Sequence, residues 1–182
     1  MRTIITKLPR DRRRVFRGMH TVDIGYPWIA FGAIIELEYI CNKEMKVLEV
    51  GAGGSTLFFS RRCNSVKSFE LNPVWADKVK EKLNGESNVD LILLTMKESL
   101  EAIKSEPDES YDIVMVDSYE NEPIKRLEIS NIVVPKLKVG GYFIIDNYMA
   151  QDMDKFDYSN FDVYTFDIIG KWWMGTKICV KK

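Results

Sequence analysis

Hydrophobic positions along this chain fall into two alternating textures: short unbroken apolar runs, and longer stretches with apolar residues at helical spacing. Val47, Leu48 and Val50 leave little polar alternation in Lys46–Val50, which predicts a parallel strand covered on both faces. Residues 66–70 form a second strand ending in Glu70, and the apolar texture returns in VDLILL, in YDIVMVDS, whose strand ends at Asp117, and in YFIID ending at Asp146. Between these runs lie helices. Ile29, Ala33, Leu37 and Ile40 share one side of residues 28–40, and a second helix opens at Ser55 or Thr56 and continues through LFFSRR. Asn72 caps a third that starts at Pro73, with Trp75, Val79 and Leu83 as a core stripe. LEAIKS continues the next helix. Residues 124–134 form another until Pro135 breaks it, and KLKVGG then reads as a turn.

Alternating strands and helices imply right-handed crossovers and a parallel sheet whose ligands sit at the carboxyl ends of the strands. The tail departs from this rhythm. FDVYTFDI and TKICVKK read as two strands joined by IGKWWMG, an antiparallel final pair. Trp172, Trp173 and Met174 in that connection belong either to core and interface packing, which would suit a homodimer, or to the pocket of a second substrate.

Composition narrows the class. With 182 residues, 46% of them hydrophobic, the chain has the size of one domain with room for a real core. A net charge of −1 carries no general attraction to polyanions, so neither a nucleic-acid partner nor a membrane surface is expected. No apolar run approaches the ~20 residues of a membrane span, and MRTIITKLPRDRRR lacks the apolar stretch of a secretory signal, so a cytoplasmic location is expected. Cys41, Cys63 and Cys179 are odd in number and lack C-x-x-C spacing, which argues for reduced, packed thiols. Residues 1–26 read as a solvated basic arm (Arg10, Arg12, Arg13, Arg14, Arg17) and a flap around His20. Residues 27–182 read as the domain proper.

The chemistry concentrates in VLEVGAGGST. Gly51 and Gly53 permit a tight turn with positive φ and a close backbone approach, and Ser55 or Thr56 can cap the following helix, whose free N–H groups favour a polar or anionic ligand. A dinucleotide fingerprint would need glycine at position 56, where Thr56 stands, so a pyrophosphate is disfavoured. Glu70 closes the second strand about 20 positions after Glu49, where a carboxylate can accept both hydroxyls of a ribose, with Leu71 beside it. Glu49, Glu70, Asp117 and Asp146 thus stand at four independent strand ends.

The E-x-G-x-G arrangement resembles motif I of the class I S-adenosylmethionine-dependent methyltransferases, and GAGGSTLFFS and FELNPVW resemble a group of small members of mostly unassigned substrate. The resemblance runs over residues 27–147. It implies an α/β, single-domain, Rossmann-like fold with a mostly parallel seven-stranded sheet in the order 3-2-1-4-5-7-6. It also implies S-adenosylmethionine as cofactor, with Glu49, Gly51, Gly53 and Ser55 around the methionine part, Glu70 and Leu71 at the ribose, and Asp117 nearby. Where the family often carries an acidic residue reading the adenine amino group, this chain has Thr95, Met96 and Lys97, so Met96 is assigned to the adenine face. Catechol-type O-methyltransferases bind Mg2+ through an aspartate, aspartate, asparagine set at the strand ends matched here by Asp117, Asp146 and Asn147, which assigns acceptor orientation to Asp146 and Asn147. The lysine those enzymes place after the first aspartate is missing from VDSYENEP.

The activity so implied is methyl transfer to an oxygen or nitrogen of a small-molecule acceptor. YDIVMVDS also resembles the polyamine aminopropyltransferases, although their G-G-G-D-G loop is replaced by GAGGS. A binding domain that kept the fold without turnover is the third reading.

Overall fold

The computed structural model describes residues 2–5, 21–117, 125–150, 152–167 and 175–182. Eight strands form one sheet: β1 (Arg2–Ile5), β2 (Lys46–Val50), β3 (Ser65–Glu70), β4 (Val89–Leu93), β5 (Tyr111–Val116), β6 (Leu137–Asp146), β7 (Phe161–Asp167) and β8 (Thr176–Lys181). Their order across the sheet is β1-β7-β8-β6-β5-β2-β3-β4. Counting from β2, this is the expected order 3-2-1-4-5-7-6, with β8 antiparallel to both of its neighbours. The start of the basic arm extends it: β1 pairs in parallel with β7 and adds an eighth strand at the edge. The arginines at 10, 12, 13, 14 and 17, His20, and residues 172–174 lie outside the described residues.

The helices are α1 (Thr21–Ile24), α2 (Phe31–Ile40), α3 (Gly54–Arg62), α4 (Pro73–Lys82), α5 (Met96–Ser105) and α6 (Arg126–Val133). Among the described residues none is long and apolar enough to cross a membrane. The unbroken apolar runs feed both faces of the sheet, because successive strand residues point to opposite sides. Leu48, Val114, Val116, Phe143 and Ile145 join Leu100 and Ile103 of α5 and Ile129 and Val133 of α6 in one core. Val47, Ile113, Met115 and Ile144 join Ala33 and Leu37 of α2 and Phe58 and Phe59 of α3 in the other.

One local expectation is corrected. KLKVGG is strand rather than turn: β6 begins at Leu137, and a register irregularity against β5 between Tyr111 and Ile113 absorbs the glycines. Gly140 has φ +77°, and a Cβ on Gly141 would lie 2.9 Å from Lys138 O and 3.0 Å from Asp112 O, so a bulge needs both. Met96 opens α5 at 5% exposure, packed with Leu100 and Ile103.

Candidate functional site

The loop from β2 to α3 is built by hydrogen bonds whose partners come from β3 and α4. Gly51 carries φ +98°, so the turn uses the left-handed region at this glycine. Gly53, expected to share that property, has φ 174° and is extended. Gly51 N–H donates to Phe69 O at 2.8 Å. Ala52 N–H donates to Glu70 Oε2 at 2.9 Å, and Ala52 O accepts from the Trp75 indole N–H at 2.6 Å. Trp75, read as core from its spacing, therefore clamps the glycine loop. Gly54 is tight for a different reason: a Cβ there would lie 2.1 Å from Tyr26 O and 2.6 Å from Thr21 O, so the 21–26 segment closes against the start of α3.

Glu70 is buried at the end of β3 and works first on backbone. Besides Ala52, its Oε1 accepts from the N–H groups of Leu71 and Asn72, both at 2.8 Å. Three amides from two loops converge on one carboxylate, which fixes the glycine loop against the β3–α4 turn; a carboxylate's remaining lone-pair capacity is what a ribose hydroxyl could still use.

Glu49 is fully buried beneath the loop. Its Oε2 accepts from the hydroxyls of Thr56 and Ser68, each at 2.6 Å, and Thr56 Oγ1 in turn accepts from Gly53 N–H at 2.9 Å. This explains why threonine occupies the position where a dinucleotide site has glycine: its hydroxyl ties the loop to the carboxylate. Glu49 Oε1 has no hydrogen-bond partner. Burial pushes the Glu49 pKa up to about 7, against the pull of the hydroxyls of Ser55, Ser68 and Thr56, with the Asp117 charge adding to the rise.

At the ends of β5 and β6 the expected acidic residues do come together, around a group that sequence reading missed. Arg126, the first residue of α6, is buried; its guanidinium donates to the carbonyl oxygen of Asp146 and to Asp117 Oδ1, the latter at 3.2 Å. Asp146 sits across from Thr176 in the sheet, and its Oδ1 accepts from the Thr176 hydroxyl at 2.7 Å; that hydroxyl accepts Ala30 N–H at 2.9 Å. Burial first, and then the Asp117 charge, push the Asp146 pKa up to about 8, while Thr176 and Arg126 pull it down. Asn147 has φ +50°, a conformation asparagine tolerates better than most residues. This donor set does not fit a magnesium ion. A guanidinium already lies on Asp117 and on the Asp146 carbonyl, Asp146 Oδ1 is committed to a hydroxyl, and among the described residues no group of three acidic, cysteine or histidine side chains could hold a metal. One sequence signal could have marked Arg126: a cation at the first turn of a helix opposes the macrodipole and needs a partner elsewhere.

No family model and no curated protein sequence matches the chain. Solved structures do. A provisionally assigned caffeoyl-CoA O-methyltransferase from Staphylococcus aureus superposes with a TM-score of 0.68 at 17% identity, over 97% of this chain and 93% of that one. An O-methyltransferase from Bacillus cereus in complex with SAH (S-adenosylhomocysteine) gives 0.63 at 19%, over 76% and 74%. The fold is that of the class I methyltransferases. An rRNA methylase from Streptococcus thermophilus also shares it, at 0.60 and 20%, over 80% and 91%. On this fold the glycine loop, Glu70 and the Asp117–Arg126–Asp146 cluster all lie at the carboxyl ends of adjacent strands, β3, β2, β5 and β6.

Proposed function

We propose that the chain is an S-adenosylmethionine-dependent methyltransferase. The observation that carries this is Glu49: a buried carboxylate beneath the positive-φ glycine loop, with one oxygen locked by Thr56 and Ser68 and the other without a partner. A ligand ammonium, directly or through water, answers that oxygen, and a similar structure holds SAH on the same fold. Gly51, Gly53 and Ser55 surround the methionine part, and Glu70 and Leu71 border the ribose. Asp117 stands beside them just past the end of β5, its N–H donating to Val50 O at 2.9 Å. Met96, at the start of α5, is assigned to the adenine face.

S-adenosylmethionine supplies an activated methyl group, and the protein's part is to hold an acceptor oxygen or nitrogen in line with it. Asp146 and Asn147, at the end of β6, are assigned to acceptor orientation. A small-molecule acceptor is favoured, but the balanced charge does not exclude nucleic acid, since one protein of this fold is an rRNA methylase. The test is calorimetry with S-adenosylhomocysteine, followed by methyl transfer to panels of hydroxyl- and amine-bearing metabolites and of RNA. Absence of binding removes the reading. Binding without transfer to either panel favours the non-catalytic domain, and aminopropyl transfer from the decarboxylated cofactor favours the aminopropyltransferase.

A further inference from the structure

The geometry at the ends of β5 and β6 points to a site that works with a built-in cation: we infer that Arg126 occupies, as a side chain, the place a divalent metal would take between Asp117 and Asp146. The proposal takes only its location from the methyltransferase reading.

Three observations carry it. Arg126 is 3% exposed at its side chain and Asp117 27%, so the charge sits on the inner side of the pair and Asp117 faces outward. The guanidinium bridges two strands, reaching the Asp117 carboxylate at the end of β5 and the Asp146 carbonyl at the end of β6. An arginine cannot give up its proton in a protein, so this positive charge is permanent, and a planar fork satisfies both oxygens at once. The carboxylate of Asp146, a further oxygen ligand a metal would use, instead accepts the Thr176 hydroxyl through Oδ1, and that hydroxyl accepts Ala30 N–H. One oxygen of each aspartate is therefore already engaged, Asp117 Oδ1 by a cation and Asp146 Oδ1 by a buried hydroxyl, and the Asp146 carbonyl is held by the same cation. An incoming ion would also meet like-charge repulsion at short range in a poorly solvated spot.

Arg126 on this view is a positioning residue, holding Asp117 and the end of β6 in register for the acceptor. The probe is Mn2+ alone, followed by the loss of its free-ion paramagnetic resonance signal, with nucleoside binding measured separately by calorimetry so that failure of the cofactor reading cannot mimic failure of this one. The wild-type chain should leave the signal undiminished. Arg126→Ala should acquire one Mn2+ site and gain thermal stability from the ion, an effect that no purely structural arginine would produce on removal. Arg126→Lys, which keeps the charge, should remain unresponsive. Wild-type binding of one Mn2+ that disappears in Asp117→Asn overturns the proposal. So does a folded Arg126→Ala that takes up none. Should Arg126→Ala not fold, the wild-type and Arg126→Lys titrations still decide.

Discussion

Gly53 and Gly54 are adjacent and answer to different constraints. A Cβ on Gly53 would touch nothing nearer than Trp75 Nε1 at 3.7 Å, and its backbone is extended, so Gly53→Ala should change stability by less than about 0.5 kcal/mol. Any loss of S-adenosylhomocysteine affinity in that variant then measures ligand approach directly. At Gly54 the Cβ would run into backbone, Tyr26 O at 2.1 Å, and backbone cannot rotate aside. Gly54→Ala should therefore cost about 1 to 3 kcal/mol in chemical denaturation, more than the helix-propensity gain of about 1 kcal/mol can offset. Denaturation midpoints equal to wild type for Gly54→Ala would mean that the 21–26 segment does not pack where it is found. The glycine motif was legible in the sequence as a loop, but its division of labour was not. Which glycine takes positive φ and which meets another segment depends on residues 21–26, and nothing in GAGGST encodes their position.

At the scale of elements, the glycine loop, the β3–α4 turn and α4 form one unit tied through Glu70 and Trp75. Glu70→Ala strips three backbone N–H groups of their charged acceptor, so it should lower stability by about 2 kcal/mol or more and weaken nucleoside binding by about 1 to 3 kcal/mol. If stability falls while affinity in the folded mutant stays at the wild-type value, Glu70 is scaffold and leaves the binding site. On β6 and β8, Thr176→Val should break the Ala30–Thr176–Asp146 chain and cost about 1 to 3 kcal/mol, read as a lower midpoint in denaturation. Strands β2, β5 and β6 were legible as apolar runs, and the carboxylates at or next to strand ends marked Glu49, Glu70, Asp117 and Asp146. What Arg126 and Thr176 bind was not legible, for a common reason. Their partners lie on other strands or far away in sequence, Ala30 being 146 positions from Thr176, so only the assembled sheet brings them together. The β5–β6 bulge escaped because paired glycines signal a turn as readily as a bulge.

For the whole molecule, the buried carboxylates set a direction for pH dependence. Glu49 titrates near 7 in the folded chain against 4.5 as its ordinary value, so between these values the native state binds more protons than the unfolded one. The contribution is thus fully present below about 4.5 and is lost as pH rises through about 7, and it amounts to a few kcal/mol by linkage. Asp146 acts in the same direction. Carboxylates held low by partners, such as Glu38 beside Arg62 or Glu106 beside Lys67, act in the opposite sense but titrate below this window. The thermal midpoint without ligand should therefore fall by several degrees from about pH 5.5 to about pH 8.5, and Glu49→Gln should remove part of that slope by staying neutral throughout. Nucleoside binding makes the same carboxylate visible from the other side. An ammonium placed beside Oε1 favours the ionised form, so S-adenosylhomocysteine should release a fraction of a proton near neutral pH, seen as a binding heat that differs between buffers of unlike ionisation enthalpy. Glu49→Gln should abolish that difference. A slope and a proton release that both survive unchanged in Glu49→Gln would locate the titrating group elsewhere and separate Glu49 from the ligand.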